Sequence, residues 1–161
     1  MIDDDDATRA RLAADGTLWG EYHPEMEAVH RKNAARLRAI VGEVGWPGRS
    51  AVGEDGAHAA WRILQHAIGE PDLMRGMVPA LERAAAEGEA RSADLAMLED
   101  RIRVFEGKPQ RYGTQFHRPQ GSLVPRPMEA PAQVDARRAQ MGLGTLAEQT
   151  SQLEQLSTYT Q

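Results

Sequence analysis

The spacing of apolar residues predicts a mainly helical chain. In the middle of the sequence apolar side chains recur every three or four positions, which is the period of one helix face. The clearest stripes are Ala57, Trp61, Leu64 and Ile68; Leu73, Met77, Leu81 and Ala84; and Leu95, Leu98, Ile102 and Phe105. Pro71 and Ser92 or Asp94 suit the first turns of the last two helices, and Gly88 and Gly107 suit their ends.

Weaker patterns predict further helices on both sides of this region. A short helix from Ala7 to about Ala14 has Asp6 as its N-cap, and a longer one runs from Pro24 to about Glu43. On the C-terminal side, two more helices are predicted at residues 133–141 and 145–156. We therefore expect a mainly α fold, a single-domain helical bundle of about five to seven helices. Its expected parts are an acidic tail (1–5), a single helical domain (6–145) and a polar C-terminal helix or tail (146–161).

Helical periodicity stops between residues 108 and 131, a stretch that holds five of the nine prolines. Because proline cannot donate to a sheet ladder, any strands here are restricted to a short edge pair. We expect a long irregular polar loop or a short hairpin that pairs 111–116 with 122–124. Amide, phenol and hydroxyl groups are concentrated at its beginning, in Gly107–Phe116. Loops so rich in polar side chains are more typical of recognition than of packing.

Charge singles out the same region. The chain has a net charge of −5, but residues 101–138 hold 8 Lys and Arg against 3 Asp and Glu. A locally positive surface attracts anions, whereas an acidic chain with so small a basic patch does not suit nucleic acid. We therefore expect a small anionic molecule or a protein as partner, and no nucleic acid.

Composition restricts the chemistry and the location. No cysteine is present, which excludes disulfides, thiolate nucleophiles and cysteine metal ligands. The chain opens with the acidic run Asp3–Asp6 instead of a cationic signal peptide. No apolar run approaches the ~20 residues of a membrane helix. We expect a soluble, cytoplasmic protein that does not associate with membranes.

The sequence contains no known catalytic or cofactor motif. The five histidines show neither His-x₃-His nor His-Glu-x-x-His spacing. Fingerprints of P-loops, dinucleotide sites and nucleophile elbows are also absent. A metal site is therefore disfavoured, and only distant residues, such as His66 with Asp100 and His117, are left to form one. We expect neither a metal nor a cofactor.

His66 is the first candidate for catalysis. It flanks the apolar stripe of its helix, and imidazole is the side chain best suited to proton transfer at neutral pH. As a general base it needs a carboxylate to orient its ring, and we expect Glu99 or Asp100 to do so. The alternative is a structural histidine that a backbone carbonyl or a carboxylate satisfies.

Asp100 and Arg101 complete the catalytic candidates. Arg101 flanks the apolar seam of its helix, so it can bury its stem and present a planar fork to a carboxylate or phosphate. It can equally fix the polar loop by binding loop carbonyls. Asp100 is expected to point away from the seam, which is also typical of an ordinary solvated helix face.

Further polar residues are expected to bind the ligand. They are Gln65, Gln110, Tyr112, Thr114, Gln115 and Arg137. The same residues suit a structural role, because a long irregular segment must satisfy its own backbone polar groups.

Short motifs in a fixed order resemble a bacterial domain-of-unknown-function family, number 6624. They are Gly45-Trp46-Pro47, Val52-Gly53, Ala60-Trp61, Gln65-His66-Ala67, Leu98–Ile102, Gly107–Gln110, Tyr112–Gln115, Val134-Asp135, Arg137-Arg138 and Met141–Leu143. The resemblance covers roughly residues 20 to 145. It implies membership of the family and a polar site around Gln65, His66, Asp100, Arg101, Gln110, Tyr112 and Gln115. It implies no activity.

Two functional hypotheses follow. In the first, Arg101, Arg111 and Arg137 attract a small anionic molecule, and the chain is a cofactor-independent hydrolase or transferase with His66 as general base. In the second, it is a non-catalytic interaction, accessory or immunity-type protein whose polar loop is structural. The sequence does not choose between an enzyme and a binding protein.

Overall fold

The computed structural model describes residues 1–18 and 22–158, and these residues are mainly helical. Within them lie seven α-helices: α1 (Ile2–Ala14), α2 (Pro24–Val44), α3 (Arg49–His66), α4 (Pro71–Ala86), α5 (Ser92–Phe105), α6 (Val134–Gln140) and α7 (Leu146–Thr158). An antiparallel pair joins β1 (Phe116–His117) to β2 (Val124–Pro125). The expected mainly α fold with a short hairpin near 108–131 is confirmed.

Contacts divide the chain into two compact units, Met1–Ala90 and Arg91–Gln161. The first unit contains α1 to α4, and the second contains α5 to α7 with the hairpin. None of the helices in the described residues is long and apolar enough to cross a membrane.

In the first unit α1, α2 and α3 pack against one another. α1 begins at Ile2, inside the segment that was expected to be an acidic tail. Aspartates in its first turn complement the positive end of the helix dipole, so they favour this early start. Asp5 and Leu12 are both buried, seven residues apart on one helix face. Asp5 is therefore part of the core, whereas Asp3, Asp4 and Asp6 are exposed.

The apolar stripes of α3 and α4 are buried as their spacing predicts, except that Ile68 lies beyond the end of α3 and is partly exposed. Trp61 and Leu64 of α3 and Met77 and Leu81 of α4 are all core residues. The backbone of α3 departs from helical geometry at Gly53, whose φ of 75° is in the left-handed region that favours glycine. One extra turn therefore precedes the helix that the sequence predicted to begin near this glycine.

The seam of α5 is buried only in its first half. Leu95 and Leu98 belong to the core, whereas Phe105 is half exposed. Asp100 was expected to point away from the seam but has no exposed surface. The reason is non-local: the polar loop folds back over Asp100 and donates backbone N–H groups to it.

The polar loop is held by backbone pairing to its own end. Gln110 N–H donates to the Pro127 carbonyl at 2.9 Å, and Glu129 N–H donates to the Gln110 carbonyl at 2.8 Å. α6 and α7 follow and contact each other. α7 confirms the expected C-terminal helix, and residues 159–161 of that segment lie outside the described residues.

Candidate functional site

Four side chains of the first unit form a hydrogen-bonded chain that we call the Asp5 cluster: Tyr22, His30, Asp5 and His66. Tyr22 Oη lies 2.6 Å from His30 Nδ1, and His30 Nε2 lies 3.3 Å from Asp5 Oδ1. His66 Nδ1 lies 2.6 Å from Asp5 Oδ2. Each oxygen of the carboxylate therefore faces a different imidazole ring.

Three helices bring the cluster together. Asp5 is in the first turn of α1, His30 is on the buried face of α2 between Met26 and Asn33, and His66 is the last residue of α3. Asp5 and His30 are 1% and 5% exposed, whereas the His66 side chain is 21% exposed. The two imidazole rings have their centroids 5.3 Å apart. The middle of this chain is therefore buried, while both of its ends, Tyr22 and His66, are partly exposed.

The proton positions follow from Tyr22. Burial, reinforced by the charge of Glu27, raises the pKa of Tyr22 to about 12, so the phenol keeps its proton and donates it to His30 Nδ1. A neutral His30 then carries its own proton on Nε2 and donates to Asp5. His66 Nδ1–H donates to the other carboxylate oxygen, because an ionised carboxylate only accepts. A neutral His66 with this tautomer has its lone pair on Nε2.

Asp5 remains ionised despite its burial. Burial raises its pKa, but hydrogen bonds from His30 and His66, together with the charge of either ring when it is protonated, outweigh that effect. The pKa of Asp5 is therefore held well below its ordinary value of 3.8. The cluster has a permanent negative charge at its centre, ready to stabilise a protonated ring.

This arrangement has the chemistry of an oriented general base. A buried carboxylate bound to one imidazole nitrogen fixes the tautomer and the ring plane, and it stabilises the imidazolium that forms. The sequence analysis expected Glu99 or Asp100 in this role, whereas the carboxylate that contacts His66 is Asp5. Asp5 was missed because residues 1–5 were expected to form an acidic tail. It also lies 61 residues from His66 in the sequence.

The same residues could hold a metal ion. Asp5, His30 and His66 each offer one ligand atom, and these atoms lie within 4.8 Å of one another. Among the described residues, these three side chains form a group whose ligand atoms are close enough together to hold one metal ion. The sequence analysis disfavoured a metal because the histidine spacing matches no motif. Spacing along one helix cannot reveal ligands that come from three helices.

Asp100, the second catalytic candidate, binds the polar loop of its own unit. Its Oδ1 accepts N–H bonds from Arg111 at 2.6 Å and Tyr112 at 3.1 Å. Its Oδ2 accepts the N–H and the hydroxyl of Thr114, both at 3.0 Å. We call this set of bonds the Asp100 clamp. A carboxylate that accepts several backbone N–H groups fixes the conformation of the loop.

The loop amides are also used internally. Gln110 Nε2 donates to the carbonyls of Gln115 at 3.0 Å and Arg126 at 2.8 Å, while its Oε1 accepts the Gln115 N–H at 2.9 Å. Gln110 has no exposed surface. Arg101, the third catalytic candidate, donates from Nε to Gln115 Oε1 at 3.2 Å. These side chains therefore replace the backbone ladder that the prolines prevent.

Two consecutive arginines of α6 complete this network. Arg137 donates to the carbonyls of Arg111 at 2.7 Å and Glu129 at 2.6 Å. Arg138 is 1% exposed and donates to the carbonyls of Gly144 and Tyr112 and to the Gln149 side chain, at 2.6–2.7 Å. The sequence analysis assigned only Arg137 to the site, although the motif contains both.

The expected site residues therefore fall into two groups. His66 and the buried Gln65 are in the first unit. The others are in the second unit: Asp100, Arg101, Gln110, Tyr112, Thr114, Gln115 and Arg137. The structure adds Asp5, His30 and Tyr22 to the first group and Arg138 to the second.

The model of a family described as "Family of unknown function (DUF6624)" matches residues 1–159, and the chain belongs to this family. The match spans nearly all residues of both units, including Asp5, which lies before the motifs on which the resemblance rested. No curated protein and no solved structure matches the chain significantly.

Proposed function

We propose that this chain is a cofactor-independent hydrolase or transferase that acts on a small molecule, with His66 as general base and Asp5 as its orienting carboxylate. The observation that carries the proposal is the 2.6 Å contact between His66 Nδ1 and Asp5 Oδ2, made by a histidine with an exposed edge. Buried structural histidines have no need of an accessible lone pair, whereas a base does.

The proposed reaction begins when His66 Nε2 accepts a proton from water or from a hydroxyl nucleophile. The imidazolium formed lies against the ionised Asp5, which stabilises the added charge. The deprotonated oxygen bonds to the electrophilic atom of the substrate, the bond from that atom to the leaving group breaks, and the proton passes from Nε2 to the leaving group. His30 donates to the second Asp5 oxygen and keeps the carboxylate in the plane that His66 needs.

An anionic substrate is part of this proposal. Its basis is the positive charge of residues 101–138, which raises the local concentration of anions near that surface. Several arginine donors of this region already bind loop oxygens. We therefore base the reaction on His66 and Asp5 and assign to the arginines only the attraction of charge.

The test is an activity panel of activated esters, amides and phosphate esters, with a chelator present throughout. We expect His66→Gln to lower kcat/KM by about 10²–10⁴-fold, the usual contribution of a general base. Asp5→Asn should lower it as well. His58→Gln is the matched control on the same helix and should keep the parent activity. Turnover that His66→Gln retains, or no turnover in any class, would contradict the proposal.

A second candidate is a non-catalytic interaction protein. The observation that favours it is the internal use of the polar loop, in which Gln110 and Asp100 satisfy loop backbone groups. Under this proposal His66→Gln changes stability alone, and a small-molecule thermal-shift screen of the parent gives no shift. A shift that depends on His66 would exclude it.

A further inference from the structure

We propose that Asp5, His30 and His66 bind one divalent transition-metal ion, preferentially Zn²⁺, and that the bound ion prevents His66 from acting as a base. Ion binding goes beyond the proposed function and does not depend on it. The inhibitory part rests on the proposed function, because it requires a base that can be switched off.

The ligand atoms are close to the spacing of a zinc site. Bonds of about 2.0–2.1 Å in a tetrahedral site hold neighbouring ligand atoms about 3.3 Å apart. His30 Nε2 and Asp5 Oδ1 are already 3.3 Å apart, and His66 Nδ1 and Asp5 Oδ2 are 2.6 Å apart. These two distances involve different carboxylate oxygens. One ligand atom from each residue lies within 4.8 Å of the other two, so an ion requires shifts of up to about 1.5 Å to reach that spacing. His66 is the partly exposed member of the three and ends its helix, so it can make this movement.

The donor set selects the kind of ion. Two imidazoles and one carboxylate suit Zn²⁺ and other late transition metals, whereas Mg²⁺ and Ca²⁺ prefer oxygen ligands. Three protein ligands leave one coordination position for water. Tyr22 contacts the far nitrogen of His30, as the outer partner of a metal-bound histidine usually does.

Proton accounting connects metal binding to inhibition. Without an ion, both neutral rings carry their proton on the nitrogen that faces Asp5. Coordination through those nitrogens moves each proton to the opposite nitrogen, and no proton is gained or lost overall. His30 then donates from Nδ1 to Tyr22 Oη, and His66 carries its proton on Nε2. A protonated Nε2 has no lone pair, so His66 cannot accept a proton while the ion is bound.

Calorimetric titration of the metal-free full chain with ZnCl₂ tests the binding. We expect one ion per chain, and loss of that binding in Asp5→Asn, His30→Gln and His66→Gln. His58→Gln and His117→Gln are histidine controls that should bind as the parent does. Tyr22→Phe should weaken binding by about 10–100-fold, the usual effect of an outer partner. Absent binding, or binding that all three ligand variants retain, would overturn the proposal.

A second measurement does not depend on variants that fold poorly. Nitrogen-15 spectra of the histidine-labelled parent report which ring nitrogen carries the proton. We expect Zn²⁺ to move the His66 proton from Nδ1 to Nε2, and an unchanged tautomer in the presence of bound Zn²⁺ would refute coordination by Nδ1.

The two proposals fail in distinguishable ways. Zn²⁺ binding to a parent that turns over no substrate refutes the general base and leaves the metal site standing. Turnover that depends on His66 in a protein that does not bind Zn²⁺ refutes the metal site alone. Turnover that persists with Zn²⁺ bound at saturation refutes the inhibition.

Discussion

Replacing Asp100 by alanine should strongly destabilise the second unit. Asp100 has no exposed surface and accepts the N–H groups of Arg111, Tyr112 and Thr114, together with the Thr114 hydroxyl. Alanine offers no acceptor, so three backbone donors lose their partner at once. Asparagine is no substitute, because its NH₂ group would face N–H groups instead of accepting from them.

The size of the effect follows from those donors. A buried donor left without a partner costs about 1–3 kcal/mol, so three cost about 3–9 kcal/mol before relaxation. Entry of water into the space left by the carboxylate recovers part of this cost. We expect Asp100→Ala to lower the free energy of unfolding by about 4 kcal/mol, a large share of the about 5–15 kcal/mol of a typical domain.

Two further variants calibrate the measurement. Thr114→Val removes the hydroxyl bond to Asp100 and also the acceptor of the Gln115 side-chain amide, and should cost about 1–2 kcal/mol. Asp72→Ala removes an aspartate whose side chain is 93% exposed and should stay within about 0.5 kcal/mol of the parent. A cost of Asp100→Ala about two to four times that of Thr114→Val would support the count of lost partners.

Urea unfolding followed by far-ultraviolet circular dichroism gives these free energies. All three tryptophans lie within Met1–Ala90, so their fluorescence reports on the first unit separately. Coincident transitions of the two signals indicate that the chain unfolds in one step. An Asp100→Ala transition within about 1 kcal/mol of the parent would refute the clamp as a source of stability.

Two other predictions concern glycine and alkaline pH. Gly113 and Gly142 have φ of 67° and 68°, but only at Gly113 would a Cβ lie 2.8–2.9 Å from neighbouring side-chain atoms. Gly113→Ala should therefore lower the free energy of unfolding by about 1–3 kcal/mol more than Gly142→Ala, and equal urea midpoints would contradict this. Burial, then the charge of Glu99, raises the pKa of Tyr112 above its ordinary value of 10.0. Above pH 10 the unfolded phenol ionises first, so stability falls as pH rises, and Tyr112→Phe should reduce that slope in urea titrations on both sides of pH 10. An unchanged slope would exclude Tyr112 as its source.

The sequence predicted what depends on local spacing. The core positions of α3 and α4 and the presence of a short strand pair follow from helical periodicity and from proline positions. The pair itself is shorter and later than the expected 111–116 with 122–124, because it joins only Phe116–His117 to Val124–Pro125. His66 lies beside the core and is partly buried, as its place on the helix predicts. Its partner could not be predicted, because the contact with Asp5 joins residues 61 positions apart on different helices.

Asp100 is a second residue whose surroundings the sequence could not predict: exposure was expected, and the structure shows burial. Helical projection places it away from the apolar seam, which usually indicates solvent. Its burial depends on a loop that returns from eleven to fourteen residues later and covers it. Arg137 was similarly expected to bind a ligand, whereas its donors meet the carbonyls of Arg111 and Glu129. A proline-rich loop has backbone groups that lack ladder partners. Nearby polar side chains must satisfy those groups first, and only the donors left over are available to a ligand.

The position of Asp5 in the first turn of α1 gives the cluster an unusual kinetic property. Helix ends open more readily than helix middles, and each opening of the first turn of α1 removes the carboxylate from both histidines. A ligand that binds only while Asp5 contacts the rings lowers the population of the open state, by a factor set by the ligand concentration relative to its Kd. Slower amide hydrogen exchange in the first turn of α1 therefore reports that a ligand occupies the Asp5 cluster, even when the ligand is not identified.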